Sequence, residues 1–321
     1  MEWTTKVVLI SAAILAALGL IIFAAVMTAN GWDFSRLSTV QYRTNTHTVD
    51  GSFTGICIET DTADVLFAVS DDETCKVVCH EQEKMQHAVD VHNGVLKISL
   101  VNTRKWYDYI GFSLGHPQIT LYLPQKTYES VMVDARTSDV ALPRELSFDT
   151  MQITVSTGDV SNFASVTRNA AIKTSTGNIW VEDISAGALD LSVTTGHVTV
   201  SGVTCREDVT VDVSTGDTRL TDLTCKNLSS TGSTGDLDLT NVVAAGNFSF
   251  KRSTGDISFT KCDAAEIVAK TSTGDVTGSL LSDKVYIIQT DTGRVHVPKT
   301  TVGGKCEIST DTGNIRIKIE E

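Results

Sequence analysis

One short string returns through the second half of the chain with a nearly fixed period. It is Ser-Thr-Gly-Asp with small variations, and its glycines stand at 158, 177, 196, 216, 235, 255, 274, 293 and 313. The intervals are 19, 19, 20, 19, 20, 19, 19 and 20 residues. A unit of this size cannot bury its own apolar face, so neighbouring units must stack and share a core. Two degenerate copies lie upstream: Thr137-Ser138-Asp139-Val140, in phase 20 residues before Gly158, and Thr60-Asp61-Thr62-Ala63-Asp64-Val65, with Ala63 in place of the glycine.

Aligning the units on their glycines shows what each does. Two residues after the glycine stand Val160, Ile179, Val198, Leu237, Ile257, Val276, Val295 and Ile315, with Thr218 as the exception. Five before it stand Ile153, Ile172, Leu191, Val211, Phe250, Ile288 and Ile308, and the column seven before it is again largely apolar. Steps of two mean strands with alternating faces, and the glycine between them is a corner, because it takes φ > 0 without steric cost. A third apolar column seven after the glycine (Ile184, Val203, Leu223, Val242, Cys262, Leu281) predicts a third short side. The period of two excludes a helical repeat, and a propeller blade needs about 40 residues. The chain is therefore expected to be all-β, a single-stranded parallel β-helix (β-solenoid) with 19–20-residue rungs. The rule for parallel crossovers makes it right-handed. Rungs spaced about 4.8 Å apart carry the regular part over roughly 45 Å.

Thr immediately precedes the glycine in all nine units, and Asp follows it at Asp159, Asp217, Asp236, Asp256 and Asp275. The Thr column is expected to bond turn backbone; an ice-binding array of Thr-x-Thr pairs such as Thr174/Thr176 and Thr310/Thr312 is the sharper alternative. Stacked carboxylates repel unless something offsets them. Either they cap backbone N–H groups in the turns, or Asp217, Asp236, Asp256 and Asp275 hold Ca²⁺ between rungs.

Val7 to Met27 carries no charge over 21 residues, long enough to span a bilayer, with Trp32 at the position of an interfacial anchor. An uncleaved signal anchor is expected, since the run exceeds a signal-peptide core and Met27-Thr28-Ala29 is a poor cleavage site. The organisation read from the sequence is a cytoplasmic tail at 1–6, a transmembrane helix at 7–29, a linker at 30–44, irregular N-terminal rungs or a cap at 45–135, and regular repeats at 136–321. Lys plus Arg is 26 against 39 Asp plus Glu, a net charge of −13, which counts against nucleic acid as a partner.

The irregular part contains Lys105-Trp106-Tyr107-Asp108-Tyr109-Ile110-Gly111-Phe112. Trp106, Tyr107, Tyr109 and Phe112 form either an exposed partner-binding patch or a folded-back cover over the first rung. Seven cysteines are present, with no Cys-x-x-Cys, so a structural zinc signature is missing. Cys205 and Cys225 share a phase; a disulfide between them and burial as small apolar side chains both remain open. No nucleophile elbow, phosphate loop or dinucleotide fingerprint occurs, so no catalytic residues and no cofactor beyond Ca²⁺ are expected.

The repeated Ser-Thr-Gly-Asp-Val units, together with Thr62-Ala63-Asp64-Val65 and Ile119-Thr120-Leu121-Tyr122-Leu123-Pro124, resemble the bacterial "putative adhesin" family, a domain of unknown function with a β-solenoid fold. The resemblance covers roughly 45–319 and implies a cell-envelope protein, often membrane-anchored, with no established catalytic residues. The expected role is a structural or adhesive binding module at the cell membrane, single-pass with its C-terminal domain outside the cytoplasm. Its partner is expected to be a cell-surface component, a glycan or a membrane protein. The alternative is an envelope sensor or regulator acting through a membrane partner, and a polysaccharide-active enzyme is the third class.

Overall fold

The computed structural model describes residues 3–32, 40–109 and 115–320. The apolar segment is one helix, α1 (Trp3–Ala29), and the stretch Thr5–Ala29 is long and apolar enough to cross a membrane; most of its described side chains are exposed, with Met27 near its end buried. Beyond residue 40 the protein is a parallel β-solenoid of about ten turns, and all its strands join one hydrogen-bonded ladder system.

The turn at Gly196 and its two flanking strands show how the repeat folds. Strand Ser185–Thr195 turns at Gly196 into strand Val198–Cys205. Leu189, Leu191, Val193, Val198, Val200 and Val203 all point inward and are 0–1% exposed. Each strand pairs in register with the same strand of the next rung, as Leu191 does with Val211 and Val200 with Leu220. Inward columns therefore stack into a continuous apolar lumen.

Glycine is required at the corner for two reasons. Its φ lies between +124° and +157° at Gly158, Gly177, Gly196, Gly216, Gly235, Gly255, Gly274 and Gly313, a region closed to L side chains. A Cβ on Gly177, Gly196, Gly216, Gly235, Gly255 or Gly274 would also strike the carbonyl of the preceding glycine in the stack. A second corner, six residues later, was not legible in the repeat because its residue type varies. Asp183, Gly202, Asp222, Asn241 and Lys261 all sit there at φ +51° to +64°. This left-handed step sends Ile184, Val203, Leu223, Val242 and Cys262 into the core, which builds the expected third side. Leu281 departs from that column: it is exposed, and Leu280 is buried in its stead.

The Thr-x-Thr pairs do not form a flat outward face. Thr174, Thr271 and Thr310 are buried, and Thr174, Thr271, Thr290 and Thr310 donate their hydroxyls to glycine carbonyls of the corner stack at 3.0–3.2 Å. The first threonine of each pair is turned inward while the one next to the glycine is exposed, so the ice-binding arrangement is absent from these rungs.

Both ends depart from sequential stacking. At the N-terminal end, β1 (Tyr42–Val49), β2 (Gly55–Thr60), β3 (Asp64–Val69), β4 (Cys75–Gln82), β5 (Met85–His92), β6 (Val95–Asn102), β7 (Gln118–Leu123), β8 (Thr127–Thr137) and β9 (Val140–Leu142) make the first rungs and a cap. The β2/β3 rung lies between β6/β7 on its outer side and β8/β9 on its inner side. Antiparallel β4 and β5 then close over β7 and β6, and β1 adds to β4. Early rungs stacked out of sequence order and a cap are thus both present.

At the other end, Gly304–Thr312 lies between Ile257–Thr273 and Lys284–Thr292, and Ile315–Ile319 lies between Val276–Leu280 and Val295–His296. The last rung in sequence is therefore next to last in space. Ile315–Ile319, whose alternating charges suggest an edge strand, is an interior one; the open edge belongs to 284–296. Its Val285, Ile287 and Val295 are exposed.

Candidate functional site

Three features concentrate chemistry. The first is the corner stack. From Asp139 to Asp275, the side chain just after each corner residue accepts the backbone N–H at the same position of the next rung. Asp139 Oδ1 takes the Asp159 N–H (2.8 Å), Asp159 that of Asn178 (2.7 Å), Asn178 that of His197 (3.0 Å), and His197 Nδ1 that of Asp217 (3.0 Å). The ladder continues through Asp217, Asp236 and Asp256 to the Asp275 N–H at 3.1, 2.8 and 2.7 Å. Asp275 then takes the N–H of Asn314, 39 residues on in sequence but next in space (2.7 Å). This bond holds the Asp275 carboxyl below its usual range, helped by the Asn314 side chain. The four aspartates read as turn caps or calcium ligands thus each accept a backbone N–H at Oδ1, and their repulsion is offset by those donors. Asn178 and His197 fit the column because they too present an acceptor.

The second feature is the aromatic insertion. It joins β6 to β7 and contains a 3-10 turn, Trp106–Tyr109. Trp106 is 77% exposed and packs edge-on to Tyr107, with ring centroids 5.8 Å apart. Lys105 Nζ stands 5.9 Å over the Tyr107 ring. Asp108 fixes the turn: Oδ2 accepts the Lys105 N–H at 2.8 Å and Oδ1 accepts Lys84 Nζ, which holds its carboxyl below the usual range. An open cleft of about 340 Å³ lies beside it, lined by Gln41, Gln82, Lys84, Arg104, Tyr107 and Asp108. Trp106 and Tyr107 are presented outward, and the covering of the first rungs is done by β4 and β5. The Tyr109 side chain and Phe112 lie outside the described residues.

The third feature is a set of polar groups inside the apolar lumen. Arg252 is 2% exposed, and Nη2 donates to Thr218 Oγ1 and Ser230 Oγ at 3.0 Å each. Gly232 leaves the space that its guanidinium fills. In the cap, Cys79, Glu81 and His87 are 0%, 1% and 5% exposed. They are the one group of three His, Cys, Asp or Glu residues among the described residues whose ligand atoms lie within 4.8 Å of one another. Glu81 Oε2 accepts the His87 backbone N–H at 2.7 Å and faces His87 Nδ1 at 2.8 Å. Burial, reinforced by the Glu81 carboxylate, pushes the Cys79 thiol up to about 12. Sequence motifs missed this cluster because no metal-binding spacing marks it. The available signal was an acid in the inward phase of a strand: Cys75, Val77, Cys79 and Glu81 alternate on one face. All seven cysteines are free thiols, Cys205 and Cys225 included, and six of them are buried.

The family model described as Toastrack DUF4097 matches residues 53–207 and 204–321. Among solved structures, a "putative adhesin" from Parabacteroides distasonis is 14% identical with a TM-score of 0.50, over 87% of this chain and 98% of that one. A "putative adhesin" from Parabacteroides merdae is 12% identical with a TM-score of 0.48, over 88% and 98%. A "putative lipid binding protein" from P. distasonis is 12% identical with a TM-score of 0.44, over 86% and 97%. No curated protein matches. At such identities the likeness is one of fold.

Proposed function

The chain belongs to the Toastrack DUF4097 family, and from that premise we propose a membrane-anchored, extracytoplasmic binding module of a bacterial cell envelope, without enzymatic activity. The solenoid is a stiff spacer, and the insertion at Trp106 and Tyr107 is the contact point for a cell-surface, glycan or membrane-protein partner. The observation that carries this reading is the exposed Trp106–Tyr107 pair on a turn pinned by Asp108. Aromatic groups held rigidly in solvent lose little entropy on binding and dominate interface energies. The anchor is supported by α1, whose apolar side chains are mostly exposed among the described residues and which has the length of a bilayer core. Trp32, exposed just beyond its end, suits the lipid–water interface.

The test has two parts. The intact mass of the chain recovered from membranes should include α1, and externally added protease should reach the solenoid in whole cells. A cleaved N-terminus or full protection contradicts the anchored arrangement. Binding to envelope glycans and cells should fall roughly thirtyfold in Trp106→Ala/Tyr107→Ala, the effect of losing about 2 kcal/mol at an interface centre. Unchanged binding by a folded double variant removes the insertion from the account.

A further inference from the structure

We infer that the N-terminal cap contains a zinc site formed by Cys79 Sγ, Glu81 Oε2 and His87 Nδ1. The cluster joins two strands: Cys79 and Glu81 alternate on the inward face of β4, and His87 follows on β5 after the turn where Gln82 pairs with Met85. The ligand atoms lie within 4.8 Å of one another and are buried. Thiolate sulfur, imidazole nitrogen and carboxylate oxygen are the donor set zinc takes in proteins.

The atoms around the cluster make it more than a proximity. A metal-bound imidazole is usually oriented by a hydrogen bond at its other nitrogen, and a metal-bound carboxylate by one at its other oxygen. Both outer positions are filled. His87 Nε2 meets Thr60 Oγ1 at 3.0 Å, and Glu81 Oε1 accepts Asn45 Nδ2 at 2.7 Å. Partners from β2 and β1 therefore leave Nδ1 and Oε2 turned toward the Cys79 thiol. Charge also balances: a divalent ion that displaces the thiol proton meets one thiolate, one carboxylate and a neutral imidazole, which leaves no net charge in the core. Three protein ligands leave one coordination position open. The site would tie β4 to β5, and through Asn45 and Thr60 to β1 and β2, clipping the cap across the end of the lumen.

The experiment uses the full chain in detergent, stripped with a chelator and reloaded with Zn²⁺ or Co²⁺. The expected result is one zinc per chain retained after dialysis and a raised melting temperature. The cobalt form should show the thiolate-to-metal absorption of tetrahedral coordination. Cys79→Ser and His87→Gln should abolish retention, and Asn45→Ala, which touches no metal, should weaken it roughly ten- to a hundredfold. The cobalt spectrum needs no variant: if the native chain gives no thiolate band, Cys79 is not a ligand and the inference fails. It fails equally if Cys79→Ser, folded by circular dichroism, retains as much zinc as the native chain. The Glu81–His87 contact is then a hydrogen-bonded pair and nothing more.

Discussion

Replacing Gly196 by alanine isolates what the corner stack contributes. Gly196 sits at φ +140°, and a Cβ there would collide with the carbonyl oxygen and carbonyl carbon of Gly177 and crowd its nitrogen. The backbone conformation costs a non-glycine residue roughly 1–3 kcal/mol. The collision cannot be relieved by a side-chain rotation, because every atom it meets is backbone. That backbone is held on both sides, by Gly177 N–H to Thr195 O and Gly196 N–H to Thr215 O at 3.0 Å each. Parting the rungs adds roughly 1–3 kcal/mol. The sum, about 2–6 kcal/mol, is a large share of the 5–15 kcal/mol typical of a folded domain. Gly94→Ala is the control. Gly94 lies in the β5–β6 turn at φ +76° with nothing within 4 Å of a Cβ, so only a backbone cost of about 1–2 kcal/mol applies. Urea unfolding followed by far-ultraviolet circular dichroism gives both values. If the two variants lose stability equally, within about 0.5 kcal/mol, the stacking argument is wrong and conformation alone demands the glycine.

Four further outcomes follow from the same structure. Asp256→Ala should cost about 1 kcal/mol by leaving the Asp275 N–H without its acceptor, while Asp256→Asn should be near neutral. In the same melts Ca²⁺ is expected to leave the transition unchanged, since Oδ1 of each column aspartate is already engaged; a chelator-reversible rise would make the column a calcium site. Acid should destabilise the fold. Hydrogen bonds from Lys270 and Lys305 hold Glu307 down to about 2, and those from Thr74 and Ser70 hold Asp72 down to about 2. Folded carboxyls below their unfolded values mean stability fully present above about pH 4 and lost as pH falls toward 2. A melting temperature that stays flat over that interval contradicts the reading. Finally, burial pushes the Cys75 thiol up to about 11 and those of Cys225 and Cys306 up to about 12. Only the half-buried Cys57 of the seven thiols should react with a disulfide reagent in the native protein.

The repeat was legible in the sequence because the constraint behind it is strict: a stacked corner admits glycine, followed by an acceptor on every regular rung except the outermost one, where Arg294 stands. The second corner tolerates Asp, Asn, Gly and Lys at positive φ, so no single residue type marks it. The edges of the N-terminal region were harder still. β1 reads Tyr-Arg-Thr-Asn-Thr-His-Thr-Val, polar on both faces, because it lies outermost in the cap and has little core to face. The spatial order of the terminal rungs leaves no trace in periodicity, since Gly274, Gly293 and Gly313 keep the same spacing whichever rung lies between the others. Of the candidate sites, the aspartate column and Trp106 were visible as a periodic acid and an exposed type of side chain. The Cys79–Glu81–His87 cluster depends on a strand pairing that spacing alone does not specify.

The order of the last rungs is the sharpest consequence of the fold, and a pair of engineered cysteines reads it directly. Lys270 lies beside Ser309, and Ser309 beside Gln289. Adjacent rungs stand about 4.8 Å apart and permit a disulfide; two rungs, about 9.6 Å, exceed the roughly 7 Å limit between Cα atoms. In a Cys57→Ser background, Lys270→Cys/Ser309→Cys should close under mild oxidation, and Lys270→Cys/Gln289→Cys should stay open. The reverse result would restore sequential stacking and contradict the interleaved C-terminal end.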